Sequence, residues 1–224
     1  MSSRKNWPLA VSVKFSVVTD GEQLDELRNA GITQVELSSG DFRPFFEYDY
    51  FEKSVEIFEF AKAHGVTKIA FEMHPGFAVY NPRTLLKLRE AVGDIIGANF
   101  DPSHLFWQGI DPVYAIKELK GAIHHFHAKD TKIDEYQTKV NGVLDTQSLA
   151  DVANRSWIFR TIGYGHGKEV WNDIISTLKM TGYDGAISIE HEDALMSPTE
   201  GLEKAISFLK ETLIFENAGD MWWV

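Results

Sequence analysis

Apolar and polar residues alternate along the chain in two distinct periods. Short stretches with a period of two, at residues 11–16, 33–38, 68–73, 96–101, 122–128 and 186–190, predict six β-strands. Between them, residues 50–64, 81–93, 170–181 and 199–212 predict amphipathic helices, and further helices follow Asp20 and Asp111. Local signals mark the helix ends. Asp20 is an N-cap ahead of GEQLDELRNAG, Gly65 is a stop, and Pro82 and Pro112 occupy the first turn after Asn81 and Asp111. The stretch from 129 to about 168 predicts no regular element. Strands and helices in strict alternation imply parallel strands joined by right-handed crossovers, an α/β protein. There is no Ser/Gly/Pro-rich linker and no low-complexity tract, so residues 1–224 are expected to form one domain.

The strands share a phase. Parallel strands buried on both faces usually read as continuous apolar runs, whereas here Val35, Leu37, Ile69, Phe71, Met73, Ala98, Phe100, Ile187 and Ile189 alternate with small or polar residues. In the fifth strand the same reading sets His125 and His127 opposite His124 and Phe126. An apolar phase facing covering helices and a polar phase facing the inside of a barrel account for this pattern. Near the C-terminal strand ends, where α/β barrels carry their active sites, the inner phase delivers Glu72, Asp101, His127 and Glu190. Bare charges converging there would be costly to bury. A divalent cation such as manganese, magnesium, cobalt or zinc suits three carboxylates and an imidazole. Singly, each residue has a plainer explanation: a surface charge, an Asx turn at Asp101-Pro102, or core histidines bonded to carbonyls.

Composition narrows the chemistry. The chain of 224 residues has no cysteine, which excludes disulfides, zinc–thiolate sites and thiol nucleophiles. Its formal net charge of -11 argues against a nucleic-acid backbone as partner. No apolar run is long enough to span a membrane, and MSSRKNWPLA lacks the apolar stretch of a secretory signal, so a cytoplasmic protein is expected. The aromatics of the tail, Met221-Trp222-Trp223, are expected to dock on the body or on a partner chain.

The segments FEMHPGFAVYN, ANFDPSHLFWQGIDP, IHHFHAKDTK and GYDGAISIEHED resemble the sugar phosphate isomerase/epimerase family of xylose-isomerase-like barrels, over residues 68–213. The resemblance implies a TIM-barrel-like fold with a divalent metal held by Glu72, Asp101, His127 and Glu190. It also implies a metal-dependent isomerase or epimerase of a small sugar or sugar derivative, working by proton transfer through a metal-stabilised enediolate. Glu72 and Glu190 would be the catalytic acid/base pair. His104 would hydrogen-bond a substrate hydroxyl, Lys129 would meet an anionic group or oxyanion, and His74 and Trp107 would wall the pocket, with loop packing the plainer role for Trp107. Residues 131–166 would form a lid or a plain surface excursion. Related barrels that act as metal-dependent lyases give a further alternative.

The chain departs from that family by about two βα units. The family barrel has eight, usually in about 250 to 320 residues, whereas here the segment SSGDFRPFFEYDYFEKS leads directly to the helix before Glu72. The shortening falls at about residues 39–50. A six-stranded arrangement would leave open edges, which a second copy of the chain could cover using the aromatic tail and Phe45, Phe46, Tyr48, Tyr50 and Phe51. A truncated or engineered derivative with little or no activity is the alternative to the enzyme.

Overall fold

The computed structural model describes residue 29, the backbone of 34–37, residues 58–216 and residues 218–223. The expected strand at 11–16, the helix after Asp20, most of the helix at 50–64 and the aromatics between 45 and 51 lie outside the described residues. Of the remaining strand predictions, all five form one parallel sheet: β1 (Gln34–Leu37), β2 (Lys68–Glu72), β3 (Ile96–Phe100), β4 (Ile123–Ala128) and β7 (Ile187–Ile189), in the order β1-β2-β3-β4-β7. The direct pairing of Gln34 with Lys68 places β1 beside β2, with no strand between them.

The helices are α1 (Pro82–Val92), α2 (Pro102–Phe106), α3 (Pro112–Glu118), α4 (Glu135–Asn141), α5 (Lys168–Met180) and α6 (Pro198–Thr212), with a helical segment at 58–63. Four of them open on an Asn, Asp or Ser cap followed by proline. At α1 the capping is reciprocal: Asn81 Oδ1 accepts from Thr84 N at 3.0 Å, and Thr84 Oγ1 accepts from Asn81 N at 3.1 Å. The apolar strand phase and the helices share one core. Phe100 and Phe126 are register partners and stack at 5.5 Å, and Trp171 of α5 meets Phe126 edge-on. Leu85, Ile116, Trp171 and Ile174 are fully buried against this face. Among the described residues, no helix is long and apolar enough to cross a membrane.

Three expectations need correction. The first concerns His124, whose alternation is interrupted by a register shift: Ala98 pairs with Ile123, but Asn99 pairs with His125. His124 is the extra residue of this bulge. Its ring lies so close over Gly97 that a Cβ there would collide with it, and Nε2 is 3.2 Å from the Asp94 carbonyl. His124 is thus a core histidine bonded to a carbonyl, on the side of Gly97 rather than opposite it.

The second concerns residues 129–168, which are not irregular. β5 (Asp130–Ile133) and β6 (Trp157–Arg160) form an antiparallel pair, with α4 between them. The base of this excursion is fastened by the fully buried Asp130. Its Oδ2 accepts from Gly163 N, Gly165 N and His166 N at 3.1, 3.1 and 2.8 Å, and from Trp171 Nε1 at 3.2 Å. Its Oδ1 accepts from Thr131 N and meets His166 Nδ1 at 2.7 Å. A side chain at Gly165 would collide with Asp130 and Thr131.

The third concerns the tail. Trp222 and Trp223 are 88% and 67% exposed and touch each other at 5.8 Å, so they are not docked on the body.

Two outcomes follow. Asp130→Ala leaves several buried N–H groups without an acceptor and should cost about 3 kcal/mol in denaturant unfolding. Burial, partly offset by the Asp94 carbonyl, holds the His124 pKa below its ordinary 6.5. The folded chain therefore binds that proton less readily than the unfolded chain, and the stabilising contribution, complete above about pH 6.5, is lost as pH falls below it. The drop in urea midpoint between about pH 7.5 and 5.5 should be smaller in His124→Gln than in the parent.

Candidate metal centre

Strand phase and stagger together build the site. The register aligns Glu72 with Asn99, Asn99 with His125, and His127 with Ser188. Glu72 closes β2, Asp101 and Glu190 lie one residue past the ends of β3 and β7, and His127 lies within β4. One donor atom from each of Glu72, Asp101, His127 and Glu190 lies within 4.8 Å of all the others. The two inner members are shielded, Asp101 at 0% and His127 at 9% side-chain exposure, while Glu72 and Glu190 retain 17% and 32%.

Asp101 combines two roles. Its Oδ1 caps α2 by accepting from Ser103 N at 2.8 Å, as the Asx-Pro signal implies. Its Oδ2 is buried, takes no aligned hydrogen bond, and faces Lys129 Nζ at 3.1 Å and His104 Nε2 at 3.5 Å. His127 Nδ1 is 2.8 Å from Glu190 Oε2, and the Asn99 amide nitrogen lies 3.2 Å from its Nε2. The oxygen-rich donor set, the single imidazole and the underused Asp101 oxygen fit a divalent cation.

Lys129 is the positive charge of the cluster. It is 1% exposed, with Nζ 3.1 Å from Asp101, 3.0 Å from Glu190 and 3.0 Å from Glu192. Burial works to lower its pKa, but the carboxylates of Asp101, Glu190 and Glu192 outweigh burial and hold it above the ordinary lysine range. Burial likewise works to raise the Glu190 carboxyl, but the His127 hydrogen bond and the Lys129 charge outweigh it and keep it well below the usual carboxylate range.

The remaining expected residues sit around this cluster. His104, 2% exposed, turns Nε2 to Glu72 Oε1 at 2.9 Å. His74 packs on His104 at 4.3 Å with the rings tilted by 57° and bonds the Pro75 carbonyl, and burial and the His104 neighbour lower its pKa. Trp107 stacks on Trp157 at 4.6 Å with its indole N–H buried and unpartnered. Trp157 continues to Phe159, whose ring faces Lys129 Nζ at 4.5 Å and the His104 ring at 5.3 Å. Trp107 is therefore joined to the site through an aromatic wall supplied by β6.

Asn99, Glu192, Phe159 and Asp130 were not foreseen as site residues. Asn99 and Glu192 lie two residues from Asp101 and Glu190 in the same strand phase, so the alternation could have found them.

Comparison with known proteins places this geometry in context. The family profile described as xylose isomerase-like TIM barrel matches residues 23–212. YfiH of Bacillus subtilis, an uncharacterized protein, is 47% identical over 153 residues, which is 68% of this chain and 49% of YfiH. Inosose dehydratase 2 of Bacillus cereus is 26% identical over 176 residues, 75% of this chain and 57% of that protein. The chain thus spans about half the length of the curated relatives it matches. Among solved structures, the probable 3-DHS dehydratase AsbF of Bacillus anthracis aligns with a TM-score of 0.62 at 21% identity, over 85% of this chain and 68% of AsbF. A D-psicose 3-epimerase aligns at 0.58 and 14% identity, over 86% and 68%. These two likenesses bear on the fold.

The charge balance gives a direct test. Lys129→Met leaves buried Asp101 without its counter-ion and should lower stability by about 3 kcal/mol in chelator. Added Mn²⁺ should then raise the melting temperature of the variant more than that of the parent, as read by scanning calorimetry.

Proposed function

The chain belongs to the xylose isomerase-like TIM barrel family, and on that premise we propose that it is a divalent-metal-dependent isomerase or epimerase of a small sugar or sugar derivative. The observation that carries this reading is the convergence of Glu72, Asp101, His127 and Glu190 within 4.8 Å. These four would hold the ion, which when bound supplies Lewis-acid polarisation of a carbonyl. With the Asn99 amide turned so that its oxygen accepts from His127 Nε2–H, the lone pair of Nδ1 would be left to hold the ion.

The chain's own residues divide the remaining work. Asp101 and His127 are buried and suited to holding. Glu72 and Glu190 come from β2 and β7, on either side of β3 and β4, and both keep exposed surface. One would remove the proton from the carbon next to a carbonyl and the other would return a proton to it. His104 would orient Glu72 through the 2.9 Å contact. Lys129 would shift from its carboxylates toward an oxyanion as negative charge develops.

A lyase is the second reading, supported by the relative named inosose dehydratase. The two reactions share the first proton removal and part afterwards, one returning a proton and the other expelling a hydroxyl.

One set of experiments separates the readings. The protein should bind Mn²⁺ in calorimetry, and Glu72→Gln, Asp101→Asn and Glu190→Gln should each weaken binding by about a hundredfold. Undiminished affinity in all three would show the ligand set to be wrong. With Mn²⁺ present, a ketose panel in D₂O should gain deuterium without change of composition. A product lighter by one water would favour the lyase, and Mn²⁺ binding with no exchange on any substrate would favour an impaired derivative.

A further inference from the structure

Beside the cluster, residues of the excursion and of the segment after β7 line a groove of about 500 Å³. Its walls are Leu149, Val152, Ile158, Phe159, Met196 and Pro198. The groove adjoins the cluster through two lining residues that touch Lys129. Phe159 lies under Lys129 Nζ, and Glu192, also on the groove wall, is 3.0 Å from the same nitrogen.

We infer that this groove is a subsite for an apolar substituent on the substrate, an aryl or alkyl aglycone, and that the substrate is a glycoside-type sugar derivative that also carries a ketone, and not a sugar phosphate. The inference rests on the carbohydrate reading above. The volume is that of a small-ligand site.

Charge decides against a phosphate. Among the described residues lining the groove there is no Lys or Arg. Two cations that touch its lining residues are already engaged, Lys129 with three carboxylates and Arg160 with Asp193 at 3.0 Å. A phosphate would lie beside the Glu192 and Asp193 carboxylates, with the His191 imidazole the lone lining group of opposite tendency. A cationic substituent fares no better. The Asp193 carboxylate is taken by Arg160 Nε and by the backbone N–H groups of Thr161 and Leu195, and Glu192 by Lys129. Apart from His191, what the walls offer is mainly apolar surface, which rewards an apolar group removed from water.

The test uses the full chain with excess Mn²⁺ and three probes: methyl β-D-glucopyranoside, phenyl β-D-glucopyranoside and glucose 6-phosphate. Binding is followed by titration calorimetry. The phenyl glycoside should bind about tenfold more tightly than the methyl glycoside. Leu149→Asp and Met196→Asp should each bring the two to near parity while leaving methyl glycoside and Mn²⁺ affinity unchanged. Leu149 is 58% exposed, so its substitution spares the core. Equal affinity of the two glycosides, no binding of either, tighter binding of glucose 6-phosphate, or a preference that survives both substitutions would overturn the subsite. Failure of the isomerase reading looks different. It would appear as absent Mn²⁺ binding or absent deuterium exchange with the phenyl preference intact.

Discussion

Like charges brought together at the end of a sheet must be balanced, and most of this molecule's polar architecture answers that requirement. Asp101, Glu190 and Glu192 converge on one buried ammonium, Lys129, which joins the end of β3 to the segment after β7 across β4. His127 meets the same Glu190 oxygen as Lys129, and His104 meets Glu72 Oε1. The arrangement is a set of acids held apart from one another by donors. A divalent ion would enter it as one more positive charge among acceptors already aimed at a common point, and Lys129 would have to yield part of its share. Occupancy and the position of the lysine are therefore coupled, because both draw on the same oxygens.

The motif HHFHAKD shows how densely this is written. Alternation sends His125, His127 and Lys129 toward the polar interior, where His125 meets Ser188 at 2.6 Å. Phe126 goes the other way into the core, and Asp130 to the base of the excursion. One strand thus contributes to the site, the core and the excursion at once. The bulge at His124 stands just below and sets the register from which all three follow.

Much of the site was legible because its geometry depends on a local rule. Side chains two apart on a strand share a face, so Glu72, Asp101, His127 and Glu190 could be picked out one strand at a time. What escaped depends on distant or backbone partners. Asp130 binds amide hydrogens more than thirty residues away, and backbone groups carry no signature in the sequence. Phe159 and Trp157 reach the cluster only because β6 pairs with β5, with Ile133 opposite Trp157, and no tight-turn signal joins them. The bulge at His124 breaks the alternation rule itself. The tail tryptophans stand clear of the body, which leaves of the two expected docking surfaces only that of a partner chain.

The buried carboxylate of Asp130 has an effect beyond holding a loop. By binding the N–H groups of 163, 165 and 166 beside that of 131, it brings the two ends of a thirty-odd-residue detour to one point. A segment closed off in this way behaves as a cassette. Its interior can lengthen, shorten or be exchanged without altering the path of the chain from β4 to α5, because loop-closure entropy grows only slowly with length. Leu149, Val152, Ile158 and Phe159 all belong to that cassette. The groove's walls can therefore diversify while the candidate metal-holding residues, none of which lies within it, stay where the sheet holds them.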